Sequence, residues 1–223
     1  MPDAVYVHDA FARIADRYVL TNHVLSCGMD ILWRKIVTAR IRKWNPSRLL
    51  DVASGTGDLA LEVQDQCPQC EVIASDFCAE MLAHAASRGI AKTVVADALR
   101  LPFMDGEFDV VTVAFGLRNM ADYPTALREM YRVLRPGGRL LILDFSLPGG
   151  ILRGPYRWYL HHVLPHMAGW LTGQKDAYEY LGGSIEAFPS GKNMTDLLET
   201  CGFEKTDATP ITCGVVTIYE GTR

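Results

Sequence analysis

Residues 49–58 read Leu49-Leu50-Asp51-Val52-Ala53-Ser54-Gly55-Thr56-Gly57-Asp58. An apolar strand runs into two glycines and then into a helix. Glycine permits the tight turn and lets a ligand approach the backbone. Asp58 sits near the positive end of the helix that follows, over Asp58–Gln66. The spacing Gly55-x-Gly57-x-x-Ala60 satisfies the dinucleotide fingerprint G-x-G-x-x-G/A. Taken alone it cannot choose between a nicotinamide cofactor and an adenosyl one.

The pattern outward from this turn alternates strand and helix. Strands are expected at Arg48–Ala53, Glu71–Asp76, Thr93–Ala96, Phe108–Ala114 and Arg139–Phe145. Between them fall helices at Asp58–Gln66, Ala79–Arg88 and Tyr123–Leu134. The last is the clearest: Tyr123, Ala126, Leu127, Met130, Tyr131 and Leu134 share one face, Asp122 is placed as N-cap and Pro124 lies in the first turn. Gly89 is placed as a helix stop, and Arg135-Pro136-Gly137-Gly138 as another. Such alternation predicts an α/β fold, an open and mostly parallel sheet with helices on both faces. Ligands then bind beyond the carboxyl ends of the strands.

On the N-terminal side the first 44 residues read as helix. Phe11, Ile14, Ala15, Tyr18 and Val19 recur at helical spacing, as do Leu32, Ile36 and Ile41, and Gly28 separates the two runs. On the C-terminal side, residues 147–189 interrupt the alternation. They hold seven of the chain's 21 Phe, Trp and Tyr residues (Tyr156, Trp158, Tyr159, Trp170, Tyr178, Tyr180 and Phe188). This segment reads equally as extra core or as an apolar helical lid. A last helix, Gly191–Cys201, precedes two antiparallel edge strands, Lys205–Pro210 and Val215–Glu220.

Length and composition bound the function. The 223 residues fit one domain with extra segments. Its parts are N-terminal helices over 1–46, a cofactor-binding core over 47–146, a lid insertion over 147–189, and a last helix and strand pair over 190–223. A net charge of −4 argues against an electrostatic nucleic-acid binder. Hydrophobic content of 49% and charged content of 22% exclude general disorder. No apolar run approaches the roughly 20 residues of a membrane span. No secretion signal is visible, so a cytoplasmic location is expected. The six cysteines form no regular framework. Cys67-Pro-Gln-Cys70 lacks the second pair that a zinc site needs, so these are read as incidental thiols and no metal is expected.

Two acids extend the cofactor site. Asp76 ends the second strand, where a carboxylate can accept from both hydroxyls of a ribose, while also capping the next helix. Asp97, in Ala96-Asp97-Ala98, ends the third strand and can accept from an adenine amine. With Phe108-Asp109 and Leu134-Arg135-Pro136-Gly137-Gly138 before the fourth and fifth strands, the series resembles the successive motifs of class I methyltransferases that use S-adenosylmethionine (SAM). Their Rossmann-like sheet closes with an antiparallel C-terminal strand pair. A dehydrogenase would need a second set of βαβ units, for which little length remains. The resemblance places SAM, and S-adenosylhomocysteine as product, against Ser54, Gly55, Thr56, Gly57, Asp76, Asp97, Ala98 and Ala114.

Ala114-Phe115-Gly116-Leu117-Arg118-Asn119 is more specific. It resembles the signature of the UbiE/MenG family of quinone-biosynthesis C-methyltransferases. So do Phe11-Ala12-Arg13-Ile14-Ala15, Trp33-Arg34, Met130–Gly138, Tyr180-Leu181, Ser184-Ile185, Phe188-Pro189 and Thr212-Cys213-Gly214-Val215-Val216. The likeness runs from about residue 8 to 221. Departures are Val19 where the family has Asp, Ala114 where some members have Ser, and Cys213 where Gly or Ala is common.

The resemblance implies methyl transfer from SAM to a ring carbon of a polyprenylated quinol, a demethylmenaquinol or a ubiquinol precursor. Another small aromatic or lipid acceptor, or SAM binding without catalysis, are the alternatives. A quinol carbon becomes nucleophilic when the neighbouring hydroxyl loses its proton, so some group must accept that proton or stabilise the phenolate. Arg118 and Asn119 are the catalytic candidates. Arg118 stays protonated and suits phenolate stabilisation, with Asn119 orienting the hydroxyl or a water. The competing reading pairs Arg118 with a lid acid and makes Asn119 a helix cap. His161, His162, His166 and Tyr178 are alternative bases. A prenyl tail implies a peripheral encounter with the inner face of the membrane, through Tyr156, Trp158, Tyr159, Trp170, Arg153 and Arg157, with core packing of these aromatics as the competing reading. A homodimer is left open.

Overall fold

The computed structural model describes residues 26, 28–166, 169 and 175–223, with 175–180 as backbone alone. The helix expected around Phe11–Val19, the Val19 departure, Trp170 and the side chains of Tyr178 and Tyr180 lie outside the described residues. The described elements are α1 (Met29–Trp44), β1 (Arg48–Val52), α2 (Asp58–Gln66), β2 (Glu71–Asp76), α3 (Ala79–Ser87), β3 (Lys92–Val95), β4 (Phe108–Ala114), α4 (Tyr123–Val133), β5 (Leu134–Phe145), α5 (Arg153–Trp158), α6 (Lys175–Ala187), α7 (Lys192–Thr200), β6 (Glu204–Ile211) and β7 (Val216–Thr222).

Seven strands form one sheet in the order β3-β2-β1-β4-β5-β7-β6. The first five are parallel, and β7 and β6 join antiparallel. The chain leaves β1 toward β2 and β3, then returns to place β4 on the other side of β1. That reversal opens a crevice at the carboxyl ends of β1 and β4.

Strand alternation divides the core in two. Leu50, Ile73, Val111, Leu140 and Ile142 face one side, packed under α4 and α7 through Leu127, Met130, Met194 and Leu198. Leu49, Val72, Val110, Leu141 and Leu143 face the other, packed under α1, α2 and α3 through Trp33, Val37, Ile41, Val63 and Leu82. Asp122 caps α4 by accepting from Thr125 N at 3.0 Å, with proline in the first turn.

Two expectations are corrected. The fifth strand begins at Leu134 rather than Arg139: Leu134 pairs with Phe108, and the register shifts before Val110 meets Arg139. The intervening turn is held by Arg135 on Asp109 and by the chain's last residue, with Gly137 N donating to Arg223 O and Arg223 N to Gly138 O. A Cβ on Gly138 would stand 2.8 Å from Arg135 O, so only glycine fits there. The C-terminal strands are not both edges. β7 is inserted between β5 and β6, and its Val216–Tyr219 are buried; β6 alone is the edge.

No described helix is long and apolar enough to cross a membrane. Cys67, Cys70, Cys78 and Cys201 are buried free thiols. Burial pushes the Cys70 thiol up to about 12, which keeps it protonated and a poor metal ligand or nucleophile. Among the described residues no three His, Cys, Asp or Glu side chains converge as metal ligands.

Candidate active site

A cavity of about 470 Å³ lies at the carboxyl ends of β1, β2, β3 and β4. Its size falls within the roughly 300–1,000 Å³ usual for small-molecule sites. Gly55, Asp76, Asp97, Ala98, Ala114 and Asn119 all line it. So do the apolar Phe77, Met81, Val95 and Leu99, which supply walls suited to a flat heterocycle.

The remaining residues of the glycine turn frame it from behind. Ser54 Oγ donates to Asp51 Oδ2 at 2.6 Å. Thr56 is buried; its hydroxyl donates to Asp58 Oδ2 at 3.0 Å, and its carbonyl accepts from Arg88 at 2.8 Å. Gly57, at φ +80°, is the N-cap of α2. A Cβ there would stand 3.0 Å from Ala85 Cβ, so this glycine lets α2 pack closely on α3. Gly55 alone of these four reaches the cavity.

Asp76 does two jobs. Its Oδ1 accepts from Cys78 N at 2.9 Å, at the start of α3, and its Oδ2 accepts from Gly55 N at 2.8 Å. The carboxylate also lines the cavity, where it can meet a ligand hydroxyl. Asp97 similarly steadies its own turn, Oδ1 accepting from Leu99 N at 2.9 Å.

Asp51 had no role in the sequence reading. It is buried in β1 and accepts from Ser54 Oγ and, at 2.6 Å, from Thr112 Oγ1. Burial pushes its carboxyl up to about 6 against those two hydrogen bonds. It thereby ties the glycine turn to β4.

The other side of the crevice is built differently. Phe115 follows β4 at φ +58°, a left-handed conformation that a bulky residue adopts only under constraint. Its ring centroid lies 4.7 Å from Phe145 and 5.9 Å from Trp33. Trp33 Nε1 donates to Thr212 Oγ1 at 2.7 Å, joining α1 to the turn before β7. A Cβ on Gly116 would stand 2.5 Å from that of Ala53, so glycine is required where the two halves meet.

Arg118 does not line the cavity. Its Nη1 donates to Asp144 Oδ1 at 2.7 Å and to the Phe115 carbonyl, and its guanidinium lies 5.3 Å from the Phe145 ring centre. The competing reading paired Arg118 with an acid of the lid; the actual partner is Asp144, the one acid of β5. Asn119 Nδ2 faces the Phe115 carbonyl at 3.4 Å, and the cap of α4 is Asp122 rather than Asn119.

The lid separates into an inner and an outer side. Leu160, Leu164 and Ile185 are buried with Tyr156 and Tyr159 against them. Those two tyrosines therefore pack inward, contrary to the outward face expected of them. Ile151 and Trp158 are instead 91% and 61% exposed. His161, His162 and His166 are exposed and bonded to Glu186, the Trp158 carbonyl and the His162 carbonyl. None of the three lines the cavity.

The residues missed by sequence reasoning are Asp51, Asp144 and Phe145, while Phe115 and Trp33 were quoted within motifs but given no role. One signal was available: Asp51 and Asp144 are each a single acid inside an apolar strand run, Leu49–Val52 and Leu140–Phe145. An acid so placed is buried and must be serving a partner.

Residues 2–223 match the model of the ubiE/COQ5 methyltransferase family. The chain is similar to the demethylmenaquinone methyltransferase of Deinococcus radiodurans, with 43% identity over 97% of this chain and 92% of that one. It is 45% identical to the demethylmenaquinone methyltransferase of Thermus thermophilus, over 96% and 99% of the two chains. In fold it is similar to human N-acetylserotonin methyltransferase, solved with SAM, at a TM-score of 0.62 and 17% identity over 93% of this chain and 57% of that one.

Proposed function

The chain belongs to the ubiE/COQ5 methyltransferase family, and from that premise we propose that it methylates a ring carbon of a polyprenylated demethylnaphthoquinol. It is a SAM-dependent C-methyltransferase of quinone biosynthesis. What carries the finer reading is the junction of two unlike surfaces: a carboxylate-lined cavity at Asp76 and Asp97, and beside it an aromatic wall of Phe115, Phe145 and Trp33 with Arg118 behind.

The residues present fit SAM. Asp76 presents a carboxylate to the cavity for ribose hydroxyls, Gly55 offers a bare backbone, and Asp97 faces the same cavity. Bound SAM supplies an electrophilic methyl group on a positively charged sulfur. The chain's own task is to hold the acceptor ring in line, exclude water and stabilise the charge that develops on the ring oxygen. Phe115 and Phe145 present apolar faces for that ring, Asn119 orients its hydroxyl, and Arg118 stabilises the phenolate. Arg118 never gives up its proton, so the hydroxyl proton leaves to water or to another group.

The acceptor's prenyl tail requires an encounter with lipid, and the outer side of the lid supports one. Ile151, Leu152 and Trp158 are exposed there beside Arg153. The sequence carries no Asp or Glu between Asp144 and Asp176, in a chain with net charge −4. Arg157 is paired with Glu186 at 2.7 Å, which leaves Arg153 as the cation beside the apolar ridge, an arrangement that suits an anionic bilayer surface.

The test is incubation with methyl-labelled SAM and either demethylmenaquinol or a benzoquinol precursor, in anionic or neutral vesicles. Labelled menaquinol, formed faster on anionic vesicles, is expected. Label in the benzoquinol alone would overturn the ring assignment, and indifference to vesicle charge would overturn the membrane face.

A further inference from the structure

The pair Arg118–Asp144 is poorly explained as a stabilising contact. Asp144 is fully buried and the Arg118 side chain is 7% exposed. Burying two charges roughly breaks even against apolar replacements unless every remaining polar atom is satisfied. Here two atoms, Asp144 Oδ2 and Arg118 Nε, make no well-formed hydrogen bond, although the Arg118 backbone N–H also acts on the Asp144 carboxylate. A pair selected for stability alone would not leave both an acceptor and a donor unmet. Asp144 is also held firmly. Phe145 N donates to its Oδ1 at 2.8 Å, and its strand is paired on both sides, with Leu143 opposite Ala114 in β4 and Asp144 opposite Thr217 in β7.

Arg118, by contrast, sits on a single turn after β4, Leu117–Asn119. Left alone, its long side chain would sample many orientations. Asp144 removes that freedom by fixing Nη1, while the Phe115 carbonyl accepts from the same nitrogen. The guanidinium is thereby held beside Phe145, with Nε–H still unused. Tyr156 of the lid lies close enough for the guanidinium's positive charge to act on its hydroxyl, so the pair sits at the seam of sheet and lid.

We infer that Asp144 is a positioning residue for methyl transfer: anchored in β5, it orients Arg118 so that the guanidinium is pre-aimed at the oxygen of the acceptor ring. This rests on the reading of Arg118 as the group that stabilises the phenolate. Asp144 itself does not touch the acceptor; it acts through Arg118.

The test compares wild type with Asp144→Ala, Asp144→Asn, Arg118→Lys and Arg118→Lys/Asp144→Ala, using SAM and demethylmenaquinol in detergent. SAM affinity, read by calorimetric titration, shows that each variant is folded. Asp144→Ala is expected to lower kcat by about tenfold or more, with SAM affinity within about twofold of wild type. Asp144→Asn should recover part of the loss, because its side-chain oxygen still accepts from Nη1. The double variant should be no slower than Arg118→Lys within about threefold, since a residue acting only through Arg118 has nothing to lose once that side chain is changed.

Losses that multiply in the double variant would overturn the inference, as would an Asp144→Ala enzyme with wild-type kcat. If Asp144→Ala fails to bind SAM, the near-isosteric Asp144→Asn decides: a smaller drop in kcat at unchanged SAM affinity supports the inference, and wild-type kcat overturns it. Wild type that binds SAM yet methylates no quinol would overturn the functional reading first, before any variant is compared.

Discussion

The two sides of the crevice are built by opposite strategies. The cofactor side, from β1 to β3, is held mostly by short-range bonds, Ser54 on Asp51, Asp76 on Cys78 and Asp97 on Leu99, with Asp76 also reaching 21 residues back to Gly55. Its polar groups are steadied before any ligand arrives. The acceptor side is assembled from distant parts: Trp33 bonded to Thr212, Phe115 on Phe145, Arg118 on Asp144. It leaves a charged pair with two polar atoms unmet, Asp144 Oδ2 and Arg118 Nε, where the cofactor side leaves one neutral hydroxyl, Ser75 Oγ. A cofactor used by many enzymes can be met by a local solution; an acceptor particular to one family needs a surface that only the complete fold brings together.

The sharpest way to break this contrast is Asp76→Ala. Charge-assisted hydrogen bonds contribute about 1.5–3 kcal/mol each, and two are proposed from Asp76 to the ribose. SAM affinity should fall by a factor of about 100 or more in a calorimetric titration, with the acceptor side undisturbed. Retained affinity would mean that the cofactor side is not organised around this carboxylate.

This contrast also explains what could be read from the sequence. The glycine turn, the strand ends and Asp76 were legible because a local pattern encodes them: apolar run, Gly-x-Gly, helix, and an acid closing the next strand. The spans of α2, β2 and β4 matched expectation. Arg118 and Asn119 were found through the signature block, but Arg118's partner was not, since 26 residues separate it from Asp144. The start of β5 was misjudged because Gly137-Gly138 reads as a terminator, and the chain's last residue, which turns it into a strand irregularity, is remote in sequence. Strand order at the C-terminus was illegible for the same reason: alternation reveals strands but not which one takes the edge.

A second prediction addresses the seam. Asp51 joins the glycine turn to Thr112 in β4, and burial raises its carboxyl to about 6 from 3.8. Between those values the folded protein holds a proton that the unfolded chain has released. The native state therefore binds more protons, and this residue's contribution to stability is lost as pH rises from about 4 to about 6. Asp51→Asn removes that titration. The stability of wild type relative to the variant should decline over this window by up to roughly 3 kcal/mol, measured by denaturant unfolding at each pH. The raised carboxyl of Asp144 is present in both proteins and cancels in the difference. A flat difference would mean that Asp51 is not the buried, reluctantly ionised acid that couples the two sides.

The smallest effect tests the acceptor side alone. Trp33→Phe keeps a ring near Phe115 and Phe145 but removes the Nε1–H that donates to Thr212. A net hydrogen bond of this kind contributes about 1 kcal/mol, and the Thr212 hydroxyl loses a donor. The cost should appear as a lowered thermal midpoint, because α1 and the turn before β7 are no longer tied through this bond. SAM affinity should stay within about twofold, since the bond removed runs to Thr212 and the ring that packs on Phe115 is kept. An unchanged midpoint would show that stacking alone holds the aromatic wall. A parallel fall in SAM affinity would show that the wall supports the cofactor cavity through Phe115, the one residue of the aromatic group that lines both. In that event the two sides are one cooperative unit, and the division drawn from their hydrogen bonds does not extend to their energetics.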